Sequence, residues 1–303
     1  MSSSIPASAV DKQPTRIAGV PQRRRGLARL PVLVRRHALS AAGLVLVVGL
    51  VGITLAAPLL ASYDPLAMSS GTRFARPGGA HLLGTDQFGR DILSRILYGT
   101  RISLGVGMGS VVLALVVGMV LGSLAAMREG ALDSVIMRTM DVLFAFPAIL
   151  LALALIAVLG STARNVLLAI GLVYIPIFAR TVRAAVLTIK YREFVDAAWA
   201  LGRSGPSTYV THILPNALTP ILVQATLSMS TAILAEAALS FLGVGAQPPT
   251  PSWGGMLSES RAFMEVAPWT AVFPGVAIML AVLSFNLLGD GIRDYLDPRV
   301  RTL

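Results

Sequence analysis

Long apolar blocks alternate with short polar connections along most of the chain. The blocks cover residues 39–61, 101–127, 140–160, 165–187, 218–242 and 269–289. As an α-helix, each block is long enough to cross a hydrocarbon layer of about 30 Å. The pattern therefore predicts an all-α polytopic membrane protein with six transmembrane helices and both termini on one side. The division between the third and fourth blocks rests on the polar run GSTARN at 160–165.

Composition supports a lipid environment. The chain has 303 residues, of which 55% are hydrophobic and 13% charged, and its mean hydropathy is +0.74. Soluble domains carry about 25% charged residues. The net charge of +10 is not gathered into one basic patch, so we expect no nucleic-acid partner. The chain lacks cysteine, and His37, His81 and His212 are far apart, so we expect neither a disulfide nor a metal site.

The distribution of Lys and Arg predicts the orientation in the membrane. Most of the 25 basic residues lie in segments 1–37, 128–138, 180–203 and 293–301. The positive-inside rule therefore places both termini in the cytoplasm. Residues 1–37 are rich in Ser and Pro and then in Arg, which predicts a disordered basic arm. Residues 38–303 are expected to form the transmembrane domain.

One polar interval, residues 190–216, stands between the fourth and fifth blocks and reads KYREFVDAAWALGRSGPSTYVTHILPN. Its first half has helical periodicity, with Arg192 and Asp196 four residues apart and able to pair. The apolar arc of this helix is predicted to contain Phe194, Val195, Ala198, Trp199, Leu201 and Gly202. Ser204-Gly205-Pro206 should end the helix, and Leu214-Pro215-Asn216 should stop the chain again. The helix is either a cytoplasmic docking surface or an interfacial helix lying on lipid.

A few polar residues fall inside the apolar blocks, where such residues are functional candidates. Glu236 is expected either to line a path through the membrane or to pair with an Arg of a neighbouring helix. Asp141 follows Arg138 by three residues, which favours a local ion pair. Asn286 and Asp290 share a helix face and are interpreted as packing and capping residues.

Glycine and proline give further expectations about the helices. Gly118 and Gly122 have the GxxxG spacing that permits close helix packing. Pro147, Pro176 and Pro274 interrupt the third, fourth and sixth blocks. These prolines mark either a translocation path, where freed carbonyls are satisfied by neighbouring groups, or simple kinks.

Two connections on the opposite side of the membrane are rich in turn-forming residues. They are GTDQFGRD at 84–91 and the Pro-rich QPPTPSWG at 247–254. Such loops suit contact with an extracytoplasmic partner, or they cap the helix bundle and seat a tryptophan at the membrane interface. The candidate contact residues are Asp86, Arg90, Asp91 and Trp253.

No catalytic motif is present. The two lysines, Lys12 and Lys190, lie outside any G-x-x-x-x-G-K-[ST] context, so the chain has no P-loop of its own. No G-x-S-x-G or H-E-x-x-H sequence occurs either. We therefore expect a non-enzymatic protein, and any ATP-derived energy must come from another chain.

Several segments together resemble the transmembrane subunits of bacterial ABC importers, specifically the dipeptide/oligopeptide/nickel branch. Asp196-Ala197-Ala198-x-x-x-Gly202, followed by Ile213-Leu214-Pro215, looks like the EAA loop of these permeases. Asp196 stands where the motif has Glu, and Ile213 directly precedes Leu-Pro. Segments 81–104, 239–257 and 285–299 also resemble that branch, in particular its second, or C-type, permease.

The resemblance implies a type I ABC importer permease fold in the bacterial plasma (inner) membrane. It also implies a homologous second permease subunit, two cytoplasmic ATPases that bind ATP and Mg, and an extracytoplasmic substrate-binding protein. This chain would bind no cofactor itself. The residues that the resemblance assigns to ATPase coupling are Glu193, Asp196, Ala197, Ala198, Gly202, Leu214 and Pro215. The expected substrate is a dipeptide or oligopeptide, with nickel or glutathione as alternatives. An ion-coupled secondary transporter is the alternative from a different class, although no inverted repeat is visible.

Overall fold

The computed structural model describes residues 30–296, with side chains described from 41 to 294. Most of the predicted basic arm lies outside these residues, and the first helix begins at Leu30, before the predicted boundary at 38. The described helices are α1 Leu30–Leu60, α2 Ile92–Arg128, α3 Gly130–Phe144, α4 Ala148–Leu159, α5 Ala163–Lys190, α6 Glu193–Ala200, α7 Gly205–Thr208, α8 Leu214–Phe241, α9 Trp253–Ser260 and α10 Trp269–Leu296. Short turns of 3₁₀-helix cover Ser70–Thr72 and Arg261–Phe263.

Five helical stretches are long and apolar enough to cross a membrane, and α3 with α4 forms a sixth, broken one. These two helices are bent by 90° to each other at the break before α4. With 12 residues, α4 is about 18 Å long and does not cross the bilayer alone. The prediction of six spans is therefore confirmed only when the bent pair counts as one.

The prolines inside the apolar blocks have different effects on the helices. Pro147 has no N–H and lies directly before α4, where the backbone turns away from α3. Pro176 and Pro274, by contrast, lie inside the uninterrupted helices α5 and α10. The third block is thus the place where the expectation of a single helix was wrong.

Helices α2 and α5 pack closely against each other. A methyl group at Gly118 would lie 2.5 Å from the Cβ of Phe178, and one at Gly122 would lie 2.4 Å from the carbonyl oxygen of Ala179. Glycine is needed at both positions because no side chain fits between the two backbones. The packing predicted from the GxxxG spacing is confirmed, and its partner is a helix of the same chain.

The connections of the bundle gather at two opposite ends, which α2 joins. At the end of the bundle where α2 begins, the segment before α2 contacts the start of α10. There, Trp269 Nε1 donates a hydrogen bond to Thr85 O at 3.3 Å. At the opposite end, where α2 finishes at Arg128, Ser123 Oγ lies 2.5 Å from the hydroxyl of Tyr209 in the polar interval. The polar interval therefore lies at the end opposite the 84–91 segment, as the predicted alternation of spans requires.

Candidate functional site

The polar interval contains the short helix α6, as the periodicity predicts. Helix α5 ends at Lys190, and α6 runs from Glu193 to Ala200. Glu193 and Asp196 lie in the first turn of α6, where the helix dipole favours negative charge. Among the ion pairs between described side chains, none involves Asp196, so the pair that the sequence permits with Arg192 is not formed.

Gly202 ends α6 in a Schellman motif. The N–H of Arg203 donates to Ala198 O at 3.2 Å, and the N–H of Gly202 donates to Trp199 O at 2.9 Å. Gly202 has a φ of +79°, in the left-handed region that favours glycine. A Cβ at this position would meet no atom within 4 Å, so the requirement for glycine comes from the backbone conformation.

The apolar arc of α6 divides into a buried line and an exposed line. Val195 is fully buried in a core cluster that includes Ile213, and Ala198 is 6% exposed. Phe194 and Leu201, which the periodicity places on the same arc, are 45% and 86% exposed. The buried line fixes α6 to the bundle, and the exposed line leaves two large apolar side chains unpartnered among the described residues.

The chain does not stop at Leu214-Pro215-Asn216, and that expectation was wrong. The five-residue π-helix Tyr209–Ile213 precedes α8, and the Leu214 N–H donates to Tyr209 O. Pro215 follows in the first turn of α8, directly after the π-helix. The wider turn therefore joins the polar interval to the fifth span without a break, and Leu214 and Pro215 lie at that junction.

Three ion pairs, which we call the inner ladder, connect α5 to α3 and to the turn before it. They are Arg180–Asp141, Arg183–Asp133 and Lys190–Glu129. Arg183 is bidentate, with Nε 2.6 Å from Asp133 Oδ1 and Nη2 2.5 Å from Oδ2. Arg180 Nη2 lies 2.5 Å from Asp141 Oδ1, so the local pair with Arg138 predicted for Asp141 was wrong.

The last pair of the inner ladder reaches the start of the polar interval. The Tyr191 hydroxyl donates to Glu129 Oε1 at 2.5 Å, and Lys190 Nζ also donates to Ala126 O at 3.1 Å. Lys190 and the Tyr191 hydroxyl lower the pKa of Glu129, while the hydrogen bond to Glu129 raises the pKa of Tyr191. Sequence reasoning missed the inner ladder, although acids at 129–141 and bases at 180–190 recur at helical spacing.

Glu236 fulfils neither of its expected roles. Its side chain is 1% exposed, and Oε1 accepts a hydrogen bond from Ser240 Oγ at 2.7 Å. Oε2 has no hydrogen-bond partner among the described residues, and no Arg pairs with this carboxyl group there. The interpretations as a path-lining residue and as a partner of Arg are therefore both wrong in this conformation.

An apolar cavity of about 480 Å³ opens between α4, α5 and α8. It is lined by Ala148, Ile149, Ala152, Ile170, Val173, Tyr174, Thr231, Leu234, Ala235, Ala238 and Leu239. The lining includes none of the three polar candidates Asp141, Glu236 and Asn286. Asn286 is half-buried within α10, which continues to Leu296, so neither it nor the exposed Asp290 caps the helix end.

The residues predicted to contact an extracytoplasmic partner are buried. Asp86 is 5% exposed, Arg90 2%, Asp91 4% and Trp253 1%, so the expectation of exposed contact residues was wrong. The Trp253 indole Nε1 donates to Ile96 O at 3.2 Å. The two segments cap the bundle, as the alternative interpretation predicts. Its second part, a tryptophan at the membrane interface, was wrong, because Trp253 is buried within the protein.

A buried ionic cluster and a helix cap explain the charges of segment 84–91. Arg90 Nε lies 2.6 Å from Asp86 Oδ2, and Arg90 Nη2 lies 2.6 Å from Glu259 Oε2. Arg95 adds contacts of 3.2 Å to Asp86 and 3.0 Å to Glu259. Asp91 caps α2 by accepting a hydrogen bond from the Ser94 N–H at 2.8 Å.

A bundle of membrane-spanning helices with a short helix exposed at one end defines the class of polytopic helical membrane proteins. Consistent with this, the fold resembles a subunit of the inward-facing methionine ABC transporter MetNI, with a TM-score of 0.57 and 20% identity. The match covers 68% of this chain and 98% of that chain. At this identity, the likeness shows the fold alone, that of an ABC importer permease.

Sequence comparison then identifies the family. Residues 114–302 match the model for binding-protein-dependent transport system inner membrane components, and the chain belongs to that family. It is 47% identical to the dipeptide transport system permease protein DppC of Alkalihalophilus pseudofirmus, over 89% of this chain and 88% of that protein. It is 46% identical to the glutathione transport system permease protein GsiD of Pectobacterium atrosepticum, over 89% of each. It is 44% identical to the di/tripeptide permease DppC of Pseudomonas aeruginosa, over 86% of this chain and 88% of that protein.

The family defines the coarse role of the chain. It is an inner-membrane permease subunit of an ABC importer. Such a subunit functions in a complex with an ATPase and a substrate-binding protein. The prediction of a permease of the peptide branch is confirmed.

Proposed function

We propose that this chain is one permease subunit of an ATP-driven importer of dipeptides and short oligopeptides. The high identity to dipeptide and di/tripeptide permeases over nearly the whole chain supports this substrate class. The geometry of α6 supports a role in coupling to an ATPase. One side of this helix is buried against the bundle, and on the other side Phe194 and the following Leu201 are exposed.

The complete transporter would contain a homologous second permease, two cytoplasmic ATPases and one extracytoplasmic binding protein. ATP and Mg would be bound by the ATPases, since this chain has no P-loop sequence. The binding protein would deliver the peptide to the end of the bundle that carries segment 84–91. The cavity between α4, α5 and α8 would form part of the translocation path on this subunit.

The polar interval would transmit ATPase movement to the spans. Glu193, Asp196 and Ala197 are exposed on α6 and would contact the ATPase, together with Leu201. Ala198 is buried, so it would act by keeping α6 close to the bundle. A displacement of α6 would then pass through the continuous turn at Leu214 and Pro215 into α8.

The replacement Gly202→Asp tests the coupling role. We expect peptide uptake to fall at least about tenfold, because a new charge at a desolvated interface costs several kcal/mol. Gly202→Asn is the matched control, since Asn has the same size and also tolerates positive φ. It should retain most uptake. Uptake of radiolabelled dipeptide is measured in a deletion strain that carries each variant, with the chain quantified in membranes by immunoblot. Wild-type uptake by Gly202→Asp at equal abundance would contradict the coupling role.

The same strains separate the two substrate classes suggested by the relatives. Because one relative at 46% identity is a glutathione permease, uptake of labelled glutathione is measured beside that of dipeptides. We expect the deletion to abolish dipeptide uptake and the intact gene to restore it. Loss of glutathione uptake alone would assign the chain to the glutathione class.

A further inference from the structure

Helix α3 has few apolar anchors of its own. Among its side chains, only Ile136 and Met140 are buried, whereas Val135 and Val142 are 64% and 61% exposed. The 90° bend before α4 means that α3 is not part of one straight helix through the span. The inner ladder therefore supplies much of what fixes the orientation of α3 against α5.

The inner ladder is partly shielded from solvent at its centre. The side chains of Arg183 and Asp133 are 33% and 16% exposed, compared with 42% and 55% for Arg180 and Asp141. A bidentate Arg–carboxylate pair fixes distance and orientation, which a single contact does not. Arg183–Asp133 is therefore the pair that best determines how α3 lies on α5.

The inner ladder and α3 together connect the polar interval to the wall of the cavity. At one end, Lys190 and Tyr191 contact Glu129 and lead directly into the polar interval. Glu129 has a positive φ of 43°, a conformation that a non-glycine residue rarely adopts without support from its surroundings. At the other end, α3 continues through the bend into α4, which forms one wall of the cavity.

We propose that Asp133 and Arg183 are positioning residues for coupling: the inner ladder fastens α3 to α5, so that the bent pair α3–α4 moves with the polar interval and changes the width of the cavity. This inference rests on the proposed function. It assigns a mechanical task to the broken span, because packed elements respond to small displacements as rigid bodies. It requires the α3–α5 contact to persist while the α4–α8 separation changes.

Charge reversal in the reconstituted transporter tests the pair. The complete complex, with its ATPases and binding protein, is placed in proteoliposomes, and peptide import and ATP hydrolysis are measured together. We expect Asp133→Arg and Arg183→Asp each to lower the peptide imported per ATP by about tenfold, within the usual range for coupling positions. The double variant Asp133→Arg/Arg183→Asp should recover to within about threefold of wild type, because the pair is restored.

The control is Arg138→Asp, a charge reversal at an exposed position of the same helix, which should leave the import-to-ATP ratio unchanged. An unchanged ratio in both single variants, or a loss that the double variant does not reverse, would overturn the proposal. If a reversal prevents assembly, Arg183→Lys keeps the charge but not the bidentate geometry and should give a smaller loss. Failure of the wild-type complex to import peptide would instead refute the proposed function.

Spin-label distances provide a second test on the otherwise unchanged chain. Because the chain has no cysteine, the pairs Ser134→Cys/Thr188→Cys and Leu150→Cys/Leu242→Cys give unique labels on exposed positions. Between nucleotide-free and ATP-trapped complexes, the first distance should stay constant and the second should change. A change across 134–188, or none across 150–242, would overturn the proposal.

Discussion

Glu259 is the residue that neutralises two buried arginines from a distant part of the chain. Its carboxylate pairs with Arg90 at 2.6 Å and with Arg95 at 3.0 Å, and both guanidinium groups are almost inaccessible to solvent. Without it, Asp86 would be left to balance both positive charges. Removing one member of a buried ion pair costs far more than the pair contributes, because the remaining charge stays desolvated.

We therefore expect Glu259→Ala to lower the free energy of unfolding by about 3–5 kcal/mol. Glu265→Ala is the control, since Glu265 is an exposed acid six residues further along, between α9 and α10. The apparent unfolding temperatures of the two purified variants are compared in detergent by a fluorescence-based thermal assay. Equal temperatures for Glu259→Ala and the control would show that the cluster does not stabilise the fold.

The role of a residue could be predicted where it depends on neighbouring sequence. The prediction failed where the residue contacts a distant part of the chain. The local periodicity predicted the helix of the polar interval, but its end was predicted at Ser204-Gly205-Pro206. The helix ends earlier, with Gly202 at a positive φ after Ala200, and Gly205 begins α7. The burial of Arg90 and Trp253 could not be predicted, because their partners Glu259 and Ile96 lie more than about 150 residues away in the sequence.

Helix α2 depends on glycine where it crosses α5, but not at every glycine along its length. Gly118→Ala should destabilise the bundle by about 1–3 kcal/mol, because the new methyl group would overlap Phe178. The matched control is Gly105→Ala on the same helix, where a Cβ meets nothing within 4 Å. Thermal unfolding in detergent distinguishes the two variants. Equal stability would contradict the packing described for α2 and α5.

Helices that correspond to one continuous apolar block were predicted well. Helix breaks and junctions, whose geometry depends on neighbouring segments, were not. Helices α5 and α10 were anticipated despite Pro176 and Pro274, because an apolar block of span length predominates in both. A proline signal alone does not show whether the helix bends, as at Pro147, or continues, as at Pro215. That outcome depends on the surrounding backbone, here the 90° break and the π-helix.

At the scale of the whole molecule, the distribution of charge and the contacts between segments agree on how the chain is oriented across the membrane. The contacts place segment 84–91 at one end of the bundle and the polar interval at the other. The distribution of Lys and Arg predicts that the polar interval faces the cytoplasm. This orientation is required if ATPases are to reach α6, since ATP is available on the cytoplasmic side.

Single cysteines introduced into the cysteine-free chain test this orientation. Met68→Cys and Leu201→Cys are suitable because the native side chains are 64% and 86% exposed at opposite ends. In intact spheroplasts, a membrane-impermeant maleimide should label Met68→Cys and leave Leu201→Cys unlabelled until the membrane is permeabilised. The unsubstituted chain, which has no thiol, gives the background. Labelling of Leu201→Cys in sealed spheroplasts would reverse the topology and separate α6 from any cytoplasmic ATPase.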